Sequence, residues 1–336
     1  MIKISFDNTS VAVPTVWAPQ EWWKRTCEPY FQVDEFVDGT EDYVIYYYGA
    51  GTFAPNVKSE HIFSTDTIWF GKIDWYLRTD KKLHGKNASI ELVVSIGPDQ
   101  TVIEIFESDT FKFSSLDALR LVRSLLITPS ISDGKTLVHM SMVSFDGLGI
   151  GFIGDSGAGK TSFAGAFLEA NPTASLITND KAIYSSTDNS IVGLPFAITI
   201  DERTIGNFED FKVENDARFE NGEYLFWPND YTANLGRQTQ RTEQLDVLFS
   251  VQATFGANFT SISKVVGASK LGKIAPFWDY RDSVSWNWIT EVLQTSSGND
   301  QNVHLGSGTN VYDIIGNPFR SECQERLRQI IYDTHR

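Results

Sequence analysis

The sequence predicts an α/β fold behind a β-rich N-terminal region, on three observations. A glycine-rich turn, Gly154-Asp155-Ser156-Gly157-Ala158-Gly159-Lys160-Thr161, separates a short apolar run from a segment of helical period. Strand-like and helix-like stretches alternate around it, the pattern of an α/β domain. Residues 1–113, by contrast, carry runs of aromatic and β-branched side chains bounded by turn residues. At 336 residues the chain suggests two domains, expected at 1–113 and 114–336.

Within the first region, strands are expected at 43–48, 67–70, 73–77, 90–96 and 101–106. Gly97-Pro98-Asp99-Gln100 supplies the turn residues of a hairpin between the last two. Trp17, Trp22, Trp23 and Trp69 read as core, the usual fate of clustered aromatics, rather than as an exposed binding face. The period then changes. Ser115 is the expected N-cap of a helix carrying Leu116, Leu119, Val122 and Leu126 at helical spacing, with Arg120 and Arg123 solvated and Pro129 ending it. Residues 130–135 are expected as a polar turn that marks the domain boundary, or at least the entrance to the second domain. From there 136–143 is expected as one strand, 149–153 as the strand entering the glycine-rich turn, 162–169 as the helix leaving it, and 175–178 as a short strand ending at Asn179-Asp180. Further strands are expected at 193–198 and 245–251, a polar excursion or hairpin at 209–223, and a closing helix at 321–332.

Composition excludes several classes. A net charge of −15 argues against a nucleic-acid surface, which is usually basic. Cys27 and Cys323 cannot make a disulfide framework, and no Cys/His spacing suggests zinc, so reduced buried thiols are expected. The first residues lack the apolar run and cleavage site of a signal peptide, and no stretch approaches the length of a bilayer span. A cytoplasmic protein without a membrane partner is therefore expected, and the sequons at Asn8, Asn87 and Asn258 read as chance matches.

The turn at 154–161 matches the phosphate-binding pattern GxxxxGK[ST] in full. Glycines let the backbone fold close around a polyphosphate, with successive N–H groups pointing inward as donors. The helix N-terminus adds its positive dipole end. Gly154, Asp155, Ser156, Gly157, Ala158, Gly159, Lys160, Thr161 and Ser162 are the expected cradle, with Lys160 reaching the β/γ-phosphates and the Thr161 hydroxyl holding Mg²⁺. The expected ligand is Mg-ATP. An acidic residue closing an apolar strand downstream of such a loop is the usual metal-positioning carboxylate, which here is Asp180.

His139, the 15-residue step to Gly154, the Gly-Asp-Ser-Gly-x-Gly-Lys-Thr wording and the strand ending in Asn179-Asp180 together resemble HPr kinase/phosphorylase. They also resemble the looser set of HPr-kinase-like proteins, whose nucleotide-binding core phosphoenolpyruvate carboxykinase shares. The likeness covers residues 115–200 well and the rest faintly, and 1–113 matches nothing recognisable. It implies a P-loop nucleotide-binding domain of HPr kinase/PEP carboxykinase type over 114–336, acting as an ATP-dependent kinase. It further implies His139 as an active-site residue on the strand beside the loop strand, Asp180 as the metal ligand, and protomers that associate. Where that family has two aspartates, the first accepting the proton of the substrate hydroxyl, this chain has Asn179. A carboxamide cannot accept that proton. Either Asp180 or His139 then serves as base, or the chemistry is weak or lost.

Three functions remain open on the sequence. The first is a kinase acting on a hydroxyl of a peptide, protein or small molecule, favoured by Lys160, Thr161, Asp180 and His139. The second is a nucleotide hydrolase that drives a switch. The third is a non-catalytic ATP-binding module, favoured by Asn179. Glu202 and Arg203 are candidates to reach the metal or the γ-phosphate. Arg237 and Arg241 read as surface residues that could instead supply fixed positive charge to a transferring phosphoryl group.

Overall fold

The computed structural model describes residues 1–36, 41–49, 52, 54–67, 71–109, 112–213, 222–266, 305 and 308–334. The described chain separates into two units, Met1–Gly134 and the residues from Lys135 onward. No helix among the described residues is long and apolar enough to cross a membrane.

The first unit is a mixed sheet with two helices. Its strands are β1 (Ile2–Phe6), β2 (Thr9–Val13), β3 (Gln32–Glu35), β4 (Tyr43–Tyr48), β5 (Ser59–Thr67), β6 (Gly71–Arg78), β7 (Leu83–Lys86), β8 (Ile90–Ile96) and β9 (Thr101–Glu107), in the order β3-β1-β2-β4-β9-β8-β7-β6-β5. The expected hairpin is present, with Gly97 N–H donating to Gln100 O at 3.0 Å between β8 and β9. The expected strand at 67–70 and Trp69 lie outside the described residues, apart from Thr67 at the end of β5. Trp23, on α1 (Gln20–Cys27), is fully buried. Trp17 packs against Tyr47 and Phe113, and Trp22 meets Trp23 edge-on. These three tryptophans are core or pack on it.

The second helix differs from expectation at both ends. α2 spans Ser115–Ser132 and is capped by Ser114, one residue earlier than expected, through a capping box with Asp117. Pro129 lies inside its last turn instead of ending it. The helix lies against β1 and β2, so it belongs with the N-terminal sheet. The units part at Gly134/Lys135, within the expected boundary turn at 130–135 and later than 113/114.

The second unit is built on a sheet of order β18-β13-β11-β12-β20-β22-β21. Its members are β11 (Ser141–Phe145), β12 (Leu148–Ile153), β13 (Ser175–Thr178), β18 (Gln238–Thr239), β20 (Val247–Ala253), β21 (Thr260–Lys264) and β22 (Asn310–Gly316). A smaller sheet, β10-β14-β15-β19, comprises Thr136–His139, Lys181–Ser185, Ser190–Gly193 and Thr242–Gln244. The expected single strand over 136–143 is thus two strands in two sheets, because the chain crosses between them at Met140. Likewise 193–198 is not one strand. Gly193 ends β15, Pro195 interrupts, and β16 (Ile198–Asp201) starts afresh and pairs with β17 (Glu223–Phe226). Residues 214–221 of the expected excursion lie outside the described residues.

Alternation along β12 makes two cores. Leu148, Ile150 and Phe152 join the helices α3 (Lys160–Ala170) and α5 (Ser321–Thr334) through Phe163, Phe167, Leu327 and Ile331. Ile153 faces the other way, into a core with Val138, Met140, Ala182 and Tyr184 of the small sheet. Gly151 shares that second face, where an added Cβ would collide with the methyl of Met140 and come within 2.8 Å of Leu248. The glycine lets the small sheet approach. Both cysteines are free and buried, as expected.

Candidate active site

Strand directions place the chemistry. β12 is antiparallel to β11, β11 is antiparallel to β13, and β12 runs parallel to β20. The carboxyl ends of β12, β13 and β20 therefore share one edge of the sheet, where open α/β sheets bind ligands. The glycine-rich loop leaves β12 there, Asn179-Asp180 leaves β13, and Thr254-Phe255 leaves β20. β11 starts at that edge, so His139 and Ser141 lie there too.

The loop has the strand–loop–helix context that its pattern requires. Asp155, Ser156 and Gly157 are exposed, and α3 begins at Lys160. Gly157 and Gly159 have φ of +78° and +94°, left-handed conformations that side chains with a Cβ resist. Gly159 also has Ala253 against it, where a Cβ would collide with that side chain. Ala253 N–H donates to Ala158 O at 2.8 Å, fixing the loop to the end of β20. Lys160 is 8% exposed. Its Nζ donates to Gly154 O at 2.9 Å and Asp155 O at 3.2 Å, across the mouth of the loop. Burial lowers its pKa, while Asp180 and Asp155 pull it up.

Asn179 is a tie between the loop helix and β11. Its Nδ2 donates to Thr161 Oγ1 at 3.2 Å. Ser141 Oγ donates to Asn179 O at 2.7 Å and approaches Asn179 Oδ1 at 3.3 Å. Ser141 has no local sequence signal, because only the β11–β13 pairing brings it here. Next to this tie, His139 Nε2 lies 3.1 Å from Asp180 Oδ1, both side chains about one-third exposed. A carboxylate only accepts, so Nε2 faces Asp180 as the donor. His139 stands on β10, in the small sheet, and not on the strand beside the loop strand. Those neighbours are β11 and β20.

The four outlying charged candidates separate. Arg237 is at the far end of α3. Its Nε donates to Leu168 O at 2.7 Å and Asn171 O at 3.1 Å, and its Nη2 to Glu169 O at 2.9 Å. It caps the carbonyls of the helix C-terminus, about 16 Å from the loop at 1.5 Å per residue of an 11-residue helix. Arg241 follows β18, which runs parallel to β13 with Thr239 opposite Leu176, so it lies at the loop's edge of the sheet. Its carbonyl accepts from Gly193 N–H at 2.9 Å. Glu202 and Arg203 open the short helix α4 (Glu202–Ile205), capped by Asp201 accepting from Thr204 N–H at 2.6 Å. Thr204 Oγ1 is 3.4 Å from Ser162 Oγ, which puts α4 beside the first turn of α3.

The donor set fits a hard cation held with a nucleotide. One carboxylate, Asp180, and one hydroxyl, Thr161, are what Mg²⁺ takes from a protein when phosphates and water supply the rest. Thr161 Oγ1 accepts one hydrogen bond from Asn179 and keeps a second lone pair. Among the described residues no group of three His, Cys, Asp or Glu side chains could hold a metal by itself.

No protein-family model and no curated protein matches the chain. Among solved structures, the HPr(Ser) kinase/phosphatase from Coxiella burnetii aligns over 60% of this chain and 97% of that one, at 10% identity and a TM-score of 0.28. A superposition that loose carries no argument about fold or function.

Proposed function

We propose that the chain is an ATP-dependent kinase with a P-loop nucleotide-binding domain of HPr kinase type. On this reading it transfers the γ-phosphoryl group of Mg-ATP to a hydroxyl of a peptide, protein or small molecule. The observation that carries the reading is the meeting of a complete phosphate loop with the His139–Asp180 pair at one carboxyl edge. Backbone N–H groups from Gly154 to Ser162 hold the phosphates, and Lys160 turns from the loop carbonyls onto the transferring group. Asp180 and Thr161 would hold Mg²⁺, which when bound neutralises charge on the phosphates. Asn179 keeps the Thr161 hydroxyl in place. The acceptor oxygen bonds to the γ-phosphorus as the bond to the β-phosphate oxygen breaks, and the hydroxyl proton goes to His139 Nδ1. Asp180 orients the ring and stabilises the imidazolium.

The second reading is a non-catalytic ATP-binding module, and Asn179 favours it. Incubating the protein with γ-labelled ATP, with and without cell extract, separates the readings. Label appearing on an extract component supports the kinase, and it should be lost in Lys160→Ala. Steady phosphate release without transfer supports a hydrolase, and binding without either supports the module.

A further inference from the structure

Beside the first turn of α3, on the side away from Asp180, stand two residues that the proposed chemistry does not use. The Arg203 guanidinium carbon lies 4.6 Å from the centre of the Phe255 ring. Phe255 in turn stacks on Phe319, with centroids 6.3 Å apart at 24°, and Phe319 meets Phe208 edge-on at 4.9 Å. Phe208 reaches the helix itself, where a Cβ on Gly165 would come within 2.8 Å of its ring. The Arg203 plane is therefore backed by a row of rings anchored on α3, while Arg203 itself is exposed. One residue before Phe255, Thr254 Oγ1 is buried without a hydrogen-bond partner.

We propose that the exposed face of Arg203, seated over the Phe255 ring, is the platform on which the base of the nucleotide stacks. The inference rests on the phosphate-loop reading, which fixes the direction of the ligand. Lys160, Thr161 and Asp180 mark the γ-phosphate end. Ser162 is the next residue along the helix, and its hydroxyl touches Thr204, the neighbour of Arg203. Phe255 lies two residues beyond Ala253, which packs on Gly159. The ribose and base of a triphosphate running away from Lys160 thus arrive at the Arg203–Phe255 pair. A guanidinium is planar, weakly hydrated and stacks on π-systems, and a base offers a π-face whatever its edge groups.

The test is a calorimetric comparison of Mg-ATP with Mg-tripolyphosphate, which has the phosphates and no base, on the full-length chain. The wild type should bind ATP the more tightly. Arg203→Ala should weaken ATP roughly ten- to a hundredfold and leave tripolyphosphate within about twofold. Arg203→Lys should behave like Arg203→Ala, because an ammonium has charge and no plane. Phe255→Leu, checked for folding by circular dichroism, should give the same selective loss. Equal weakening of both ligands in Arg203→Ala, with recovery in Arg203→Lys, would make Arg203 a phosphate ligand and overturn the platform. So would tripolyphosphate binding as tightly as ATP to the wild type, or no effect of either alanine or leucine. A wild type that binds neither ligand refutes the phosphate-loop reading, and the platform falls with it.

Discussion

Replacing His139 by Asn tests which residue takes the proton. His139 Nε2 lies 3.1 Å from Asp180 Oδ1, so the carboxylate fixes the tautomer and Nδ1 is the accepting nitrogen. A positioned general base contributes about 10²–10⁴-fold. The variant should lose that much in phosphate release from Mg-ATP, measured with water as acceptor. Its ATP affinity should stay within about twofold, since uniform binding is left intact. Asn179→Asp is the second arm. Asn179 bonds the Thr161 and Ser141 hydroxyls, and an aspartate can keep both by accepting from them. The Thr161 bond then reverses, with the hydroxyl as donor, and a negative charge is added. With His139 as base, Asn179→Asp should alter the rate by less than about threefold. Two results refute the reasoning: a wild-type rate of phosphate release in His139→Asn, or a rise of about a hundredfold in Asn179→Asp.

Three further outcomes follow from the same geometry. Arg237→Ala strips the donors from the C-terminal carbonyls of α3 and should cost about 2–4 kcal/mol in denaturant unfolding with kcat unchanged. Unchanged unfolding with a lowered kcat would contradict that role. Burial lowers the Lys160 pKa, so between that lowered value and about 10.4 the unfolded chain holds more protons and stability rises with pH. Lys160→Met should remove that dependence and leave the ligand-free protein at least as stable, while abolishing thermal stabilisation by Mg-ATP. A lower melting temperature for the ligand-free variant would contradict this. Finally, Mg²⁺ should bind only together with nucleotide, and Asp180→Asn should weaken the joint binding, since a neutral amide is a poor ligand for a hard cation. Tight Mg²⁺ binding to the nucleotide-free protein would place the metal elsewhere.

What the sequence made legible is what lies close along the chain. The glycine-rich loop, its strand and its helix form one contiguous stretch whose residue types are dictated by backbone geometry, as at Gly159 with φ of +94°. The hairpin around 97–100 is legible for the same reason. The split at Met140 is not, because 136–143 has one apolar pattern whether it serves one sheet or two. Arg237 and Arg241 look alike in sequence, and only the short strand β18 between them puts one at each end of α3's side of the sheet. Ser141 is silent until β13 pairs with β11. Arg203 and Phe255 are 52 positions apart and become a pair only through the folding of β20 and α4. Pro129 misleads because α2 runs on through it, forgoing the backbone bond that a proline nitrogen cannot donate.

The measurement that bears most directly on the central claim is the binding of Mg-ATP to the wild type and to Lys160→Ala by titration calorimetry. The proposed phosphate loop predicts one site per chain, weakened at least about tenfold in Lys160→Ala, where the ammonium across the loop mouth is gone. Absence of binding to the wild type, or equal affinity in the two proteins, would contradict it.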